Sequence, residues 1–203
     1  KRSEFIGHIK RVSTVEEARA YIESVRKTYH DARHVCSAFI IGADRDIQRS
    51  SDDGEPAGTA GVPMMQALLA RQTREDGTTD LSDVVAVVVR YFGGIKLGAG
   101  GLVRAYTDSV VQTLDGALFD SRERLRVGQV PSSHADAGRL ENEIRAAGLN
   151  VLGTEYGAEG ATISLGVFDR PEELARAEEL VVSLSSGAAS VTWGDTQWVD
   201  LPV

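Results

Sequence analysis

The sequence predicts a two-domain α+β protein. Three observations carry that expectation. Strand-like and helix-like segments alternate up to about Leu118, the pattern restarts after it, and the charge balance changes between the two parts. The chain has 203 residues, 42% hydrophobic and 26% charged, which is enough for one large core or two small ones. Residues 1–126 hold 18 acidic and 18 basic side chains, whereas residues 127–203 hold 12 acidic and 4 basic, so the formal net charge of -8 lies in the second part. An acidic total argues against a simple nucleic-acid glue. A neutral first part still leaves room for a local basic patch.

The elements follow in order. Phe5, Ile6, Ile9 and Val12 mark a first strand. Ser13 with Glu16 has the spacing of a capping box and opens a helix to about Tyr29, with Val15, Ala18, Ile22 and Val25 on one face. Val35 to Gly42 reads as a strand, and Ala43 to Gly61 as one long loop, of a length that usually carries function. Pro63 suits the first turn of a helix continuing through Met64, Leu68 and Leu69. After a polar connection over 73–83, Val84 to Val89 is a buried strand. A glycine loop over 93–101 then feeds a helix carrying Leu102, Val103, Tyr106, Val110, Val111 and Leu114.

The boundary is expected near 122, giving domains 1–122 and 123–203. In the second, a strand near 124–130 precedes a helix from Ser132 or Ser133 to Ala147, which Gly148 ends. Strands over 149–156 and 161–168 flank Gly157 and Gly160; Pro171 opens a helix to about Leu184, and a last strand covers 189–199. That β-α-β-β-α-β order is the ferredoxin-like pattern. Trp193 and Trp198, five apart in the last strand, should face opposite sides.

Two stretches concentrate the chemistry: Arg49 to Gly61 (RSSDDGEPAGTAG) and Arg90 to Tyr106 (RYFGGIKLGAGGLVRAY). The second follows a buried strand and opens a helix. Its N–H groups and the helix dipole could hold an anion, with Lys96 and Arg104 adding charge. Neither a Walker lysine nor a dinucleotide fingerprint is present. The candidate anion or RNA site is therefore Arg90, Gly93, Gly94, Lys96, Gly98, Gly100, Gly101 and Arg104; a tight turn with packing glycines is the plain alternative. In the first stretch Asp52, Asp53 and Glu55, with Thr59, form an acidic loop able to offer oxygens to a cation or to act as acid and base. Such residues also make turns for their own sake. Ser50, Ser51 and Thr59 lack a nucleophile elbow.

His34 and Cys36 share a face of one strand, but two ligands do not make a zinc site, and His8, His30 and His134 add no recognisable partner. No metal and no cofactor is expected. The single Cys36 fits a reducing compartment, no apolar run spans a bilayer, and Lys1 to Phe5 shows no apolar signal core behind it. The expectation is a cytoplasmic protein with no membrane partner.

The strings Ser3 to Gly7, His34 to Ala38, Asp52 to Pro63 and Arg90 to Tyr106 resemble the YigZ/IMPACT family; Ala57 stands where many members carry Ser. The second domain resembles the bacterial two-domain branch in position and pattern. The resemblance implies a first domain with the fold shared by a small-subunit ribosomal protein domain and the fourth domain of elongation factor G. It implies a ferredoxin-like second domain, and for eukaryotic members a role in translation regulation through a protein partner. No catalytic residues transfer from it. The function expected is a regulator linked to translation or stress response that binds RNA or a ribosome-associated protein. An enzyme acting on a phosphorylated small molecule or nucleotide, and a pure protein-interaction module, are the alternatives.

Overall fold

The computed structural model describes residues 3–201. The chain forms two compact units that divide between Leu118 and Phe119. The first holds β1 (Glu4–Arg11), α1 (Val15–Thr28), β2 (His34–Ile41), β3 (Ile47–Ser51), α2 (Gly61–Leu69), β4 (Val84–Tyr91) and α3 (Gly98–Asp115). Its sheet is antiparallel throughout, in the order β1-β4-β2-β3.

The two central strands bury both faces, which is why Val84 to Val89 is an unbroken apolar run rather than an alternating one. Cys36, Ala38, Ile40, Val84, Ala86 and Val88 face α2 and α3, meeting Met64, Leu68, Leu102, Tyr106, Val110 and Leu114. Val35, Phe39, Ile41, Val85, Val87 and Val89 face α1, meeting Ala18 and Val25. Fully burying one such side chain contributes roughly 1.5–3 kcal/mol. The run therefore fixes β4 firmly and, with it, the placement of Arg90 at its end. Gly7 lets α3 lie close on β1: a Cβ there would stand 2.0 Å from Thr113 Oγ1.

In the first unit, two local features differ from the sequence expectation. The capping interaction lies one residue further on: Thr14 Oγ1 accepts from Glu17 N at 3.1 Å, and the Glu17 carboxylate accepts from Ser13 N at 2.7 Å. The segment expected as one loop over 43–61 contains β3, paired antiparallel with β2 from Ser37↔Ser51 to Ile41↔Ile47. This edge strand is exposed at every position, so no alternation marks it in the sequence.

The second unit holds β5 (Ser121–Ser132), α4 (Ala137–Ala146), β6 (Asn150–Tyr156), β7 (Ala161–Phe168), α5 (Pro171–Leu184) and β8 (Thr192–Leu201). The sheet order β6-β7-β5-β8, antiparallel throughout, is that of a ferredoxin-like domain. Val130, Leu140, Ile144, Ile163, Leu165, Val167, Ala177 and Val181 form its core. Residue 122 falls inside β5. Ser133 and Asp136 form a hydrogen-bonded turn before α4, so the helix starts later than 132–133. The two tryptophans do not face opposite sides. Arg126 pairs with Thr196 and Gly128 with Trp193, three residues against two. This bulge reverses the alternation and leaves Trp198 on the same face as Trp193. Among the described residues, no helix is long and apolar enough to cross a membrane.

The self-contained sandwich of the first unit leads to a direct expectation. A fragment ending at Leu118 should unfold cooperatively in urea, with a circular dichroism spectrum of mixed helix and strand. A featureless, non-cooperative titration would show that the unit does not stand alone.

Candidate functional site

The two motifs converge on one buried group, Arg90. As the next even-numbered position of β4, it continues the face that packs on α2 and α3, and it is only 5% exposed. A guanidinium held there requires a counter-charge. Glu55, 8% exposed, supplies it: Arg90 Nη1 donates to Glu55 Oε1 at 2.5 Å. Arg90 Nη2 donates to Ser3 Oγ at 3.4 Å, and the guanidinium lies over the rings of Phe5 and Phe92. Tyr106 from α3 donates its phenolic hydrogen to the same Glu55 oxygen at 2.9 Å.

Glu55 reaches the interior because the chain turns sharply at Asp53 (φ 43°) and Gly54 (φ 82°), both in the left-handed region. The turn is held from both sides. Asp53 accepts two hydrogen bonds from Arg26 on α1, at 2.9 and 3.1 Å, and one from Val35 N at 2.7 Å. Its backbone carbonyl accepts from His34 Nδ1 at 2.8 Å, which fixes the hydrogen on that nitrogen and leaves Nε2 4.0 Å from Glu55 Oε1. Asp52 accepts from the N–H groups of Gly58, Ala60 and Gly61 at 2.8, 3.0 and 2.8 Å, and so sits at the start of α2. Burial works against both carboxylates. The three N–H groups around Asp52, and Arg26 with Val35 N–H around Asp53, outweigh it and hold both below the usual carboxylate range. Thr59 Oγ1 donates to the Pro56 carbonyl at 2.6 Å.

The acidic loop is thus an internal clamp. Between the two motifs the charges meet at Glu55–Arg90; Asp53 pairs with Arg26, a partner that no local spacing announces. Arg90 is not an outward phosphate-facing cation, because β4 alternation turns it into the core. Cys36 lies 3.0 Å from the Asp52 carbonyl and 3.3 Å from Tyr106 Oη, and its one hydrogen reaches one of them at a time. Burial pushes its thiol up to about 12, so it stays protonated and unreactive at neutral pH. Burial likewise raises the Tyr106 phenol. Among the described residues, no group of three or more His, Cys, Asp and Glu is placed to hold a metal ion.

The glycine loop has the opposite character. Gly94, Lys96, Gly98 and Gly100 are exposed, and a Cβ at Gly94, Gly98 or Gly100 would meet nothing within 4 Å. Gly94 (φ 89°) and Gly98 (φ 72°) need the left-handed region. Gly93 N donates to Ser3 Oγ at 3.3 Å, so the same hydroxyl ties the loop to Arg90. Leu97 precedes α3 and no side chain caps that helix. The N–H groups of Gly98, Ala99 and Gly100 are therefore left without side-chain acceptors. Arg104 lies further along α3, exposed like Lys96. Sequence reasoning missed three neighbours: Phe92, Ile95 and Leu97 are 48%, 65% and 39% exposed, a signal present as apolar letters inside a glycine loop.

The clamp makes Glu55 and Asp52 unequal. Glu55→Ala leaves Arg90 buried without its counter-ion and should cost about 3–5 kcal/mol in urea unfolding of the first unit. Asp52→Ala removes a capping carboxylate and should cost about 0.5–2 kcal/mol. Because Asp52 and Asp53 are held below 3.8, their stabilisation is complete above that pH and is lost as pH falls through their folded values. Asp53→Asn should flatten the acid limb of stability against pH. An unchanged limb would contradict the assignment.

Comparison with known proteins agrees with this layout. The Impact N-terminal domain family matches residues 1–114, and a domain of unknown function (DUF1949) matches residues 133–188. IMPACT family member YvyE of Bacillus subtilis (strain 168) is 36% identical over 203 residues, spanning 100% of this chain and 88% of that protein. IMPACT family member YigZ of Escherichia coli (strain K12) is 48% identical over 116 residues, 56% of this chain and 53% of that protein. A solved structure described as the crystal structure of an hypothetical protein superposes with a TM-score of 0.63 at 32% identity, covering 94% of this chain and 88% of that one. With a family match over more than half of its length and a relative aligned along all of it, the chain belongs to the IMPACT family.

Proposed function

We propose that the first unit binds RNA, gripping phosphate at the start of α3, in a role linked to translation or stress response. The observation that carries this reading is the contrast between two helix starts in one unit. The start of α2 is filled by the Asp52 carboxylate, and Pro63, in its first turn, has no N–H to satisfy. The start of α3 has no capping side chain, two glycines, Gly98 and Gly100, that leave open space, and Lys96 beside it. An anion is what such a helix end accommodates. One such site is worth roughly 0.3–1 kcal/mol, up to ~2 when partly buried. Useful affinity then requires several phosphates along a strand, which favours a polymer over a single small anion.

Two other readings compete. Exposed Phe92, Ile95 and Leu97 would also suit a protein partner. An enzyme working through the acidic loop is less well supported, because Asp52, Asp53 and Glu55 are already committed to internal donors.

Fluorescence anisotropy with unrelated RNA oligomers tests the proposal. Binding should weaken steeply with salt. Lys96→Ala and Arg104→Ala should each weaken it for every sequence and lower the salt slope by about one or less. No binding at low salt would overturn the RNA reading in favour of a protein partner or a small phosphorylated ligand.

A further inference from the structure

Beside the start of α3 lies an open groove of about 400 Å³, formed entirely by residues of the first unit. Ligand sites run from roughly 300 to 1,000 Å³. The groove is therefore sized for one nucleotide, and it is too small for a docked helix about 10–12 Å across. Phe5, Ile95, Leu97 and Ala105 give it apolar walls. Its polar groups are few. Arg104 and Asp108 stand one helical turn apart on its α3 side, and neither has a hydrogen-bond or ion-pair partner among the described residues. Ser3 Oγ already accepts from Arg90 Nη2 and Gly93 N, so its own hydrogen is the part left to donate into the groove.

We infer that this groove takes a single unstacked nucleobase, so that the protein selects single-stranded RNA and prefers guanine. The inference rests on the RNA reading above. From Gly100 to Asp108 the helix rises about 12 Å, which suits one nucleotide laid along it with its phosphate at the helix start and its base over Ala105. Charge is arranged to match: the open N–H donors and Lys96 lie at the phosphate end, Arg104 midway along the span, and the Asp108 carboxylate at the base end. A carboxylate only accepts. Guanine offers it two adjacent donors, the ring N1–H and the 2-amino group; adenine and cytosine offer one amino group, and uracil one ring N–H. In a duplex those edges are paired, and the deep, narrow major groove of A-form RNA admits no side chain. The apolar walls then cover the base faces, which a polar phosphate chain alone would not use.

The test uses the full chain and labelled octamers: all-uridine RNA, the same octamer with one central guanosine, the same with inosine, and a duplex of the guanosine octamer. The guanosine strand should bind about fivefold or more tighter than all-uridine, as expected for a two-donor contact at a partly exposed site. Inosine, which lacks the 2-amino group, should fall between them, and the duplex should bind more weakly than its single strand. Asp108→Asn should bring the guanosine-to-uridine ratio to about one. Leu97→Trp, which fills the groove, should bring single strand and duplex together. Equal binding of duplex and single strand by wild-type protein, or a guanosine ratio unmoved by Asp108→Asn, would overturn the inference and leave the RNA reading standing. Absence of binding to every RNA at low salt would overturn both.

Discussion

The first unit depends on one buried ion pair. The apolar run of β4 fixes the strand, and its alternation delivers Arg90 into the interior beneath α3. An unpaired charge there costs several kcal/mol, so a carboxylate must reach it. Glu55 does so only because the chain turns through the left-handed region at Asp53 and Gly54. That turn in turn needs its own anchors: Arg26 and Val35 N–H on Asp53, and the start of α2 on Asp52. Tyr106 from α3 and Ser3, just before β1, close the arrangement. Most of the unusual letters of the acidic loop follow from the need to neutralise one guanidinium.

This explains why the two motifs, so alike in sequence, differ in what they can do. The acidic loop spends its charges inside the protein. The glycine loop, tied to the same Arg90 through Ser3, keeps its donors and its cation outside. The N–H groups at the start of α2 are taken up by Asp52, whereas those at the start of α3 have no capping side chain. A net charge of -8 limits the strength of any phosphate binding and makes it sensitive to salt.

Much of the fold was legible because burial writes itself into the sequence. The β4 run, the strand Ala161–Phe168 and the helix Pro171–Leu184 coincide with segments marked by apolar continuity, alternation or a proline at the first turn. The edge strand Ile47–Ser51 left no mark, since backbone pairing alone holds it and every side chain is exposed. The β8 bulge was equally invisible, because an extra residue changes facing without changing composition. At the candidate site the residue types were legible but their partners were not. Asp53 and Arg26 are 27 positions apart, and only the folded sheet brings the first helix against the loop. A charge cluster in a sequence reads the same whether it is spent internally or offered to a ligand.

The most direct measurement is the response of backbone amides to RNA, followed by NMR on the labelled protein. A short RNA strand should shift the N–H signals of Gly98, Ala99 and Gly100 at the open helix start, while those of Gly58, Ala60 and Gly61, already bonded to Asp52, stay in place. Shifts confined to the Asp52 cradle, or none at the start of α3 under conditions where RNA is bound, would contradict RNA binding at this site.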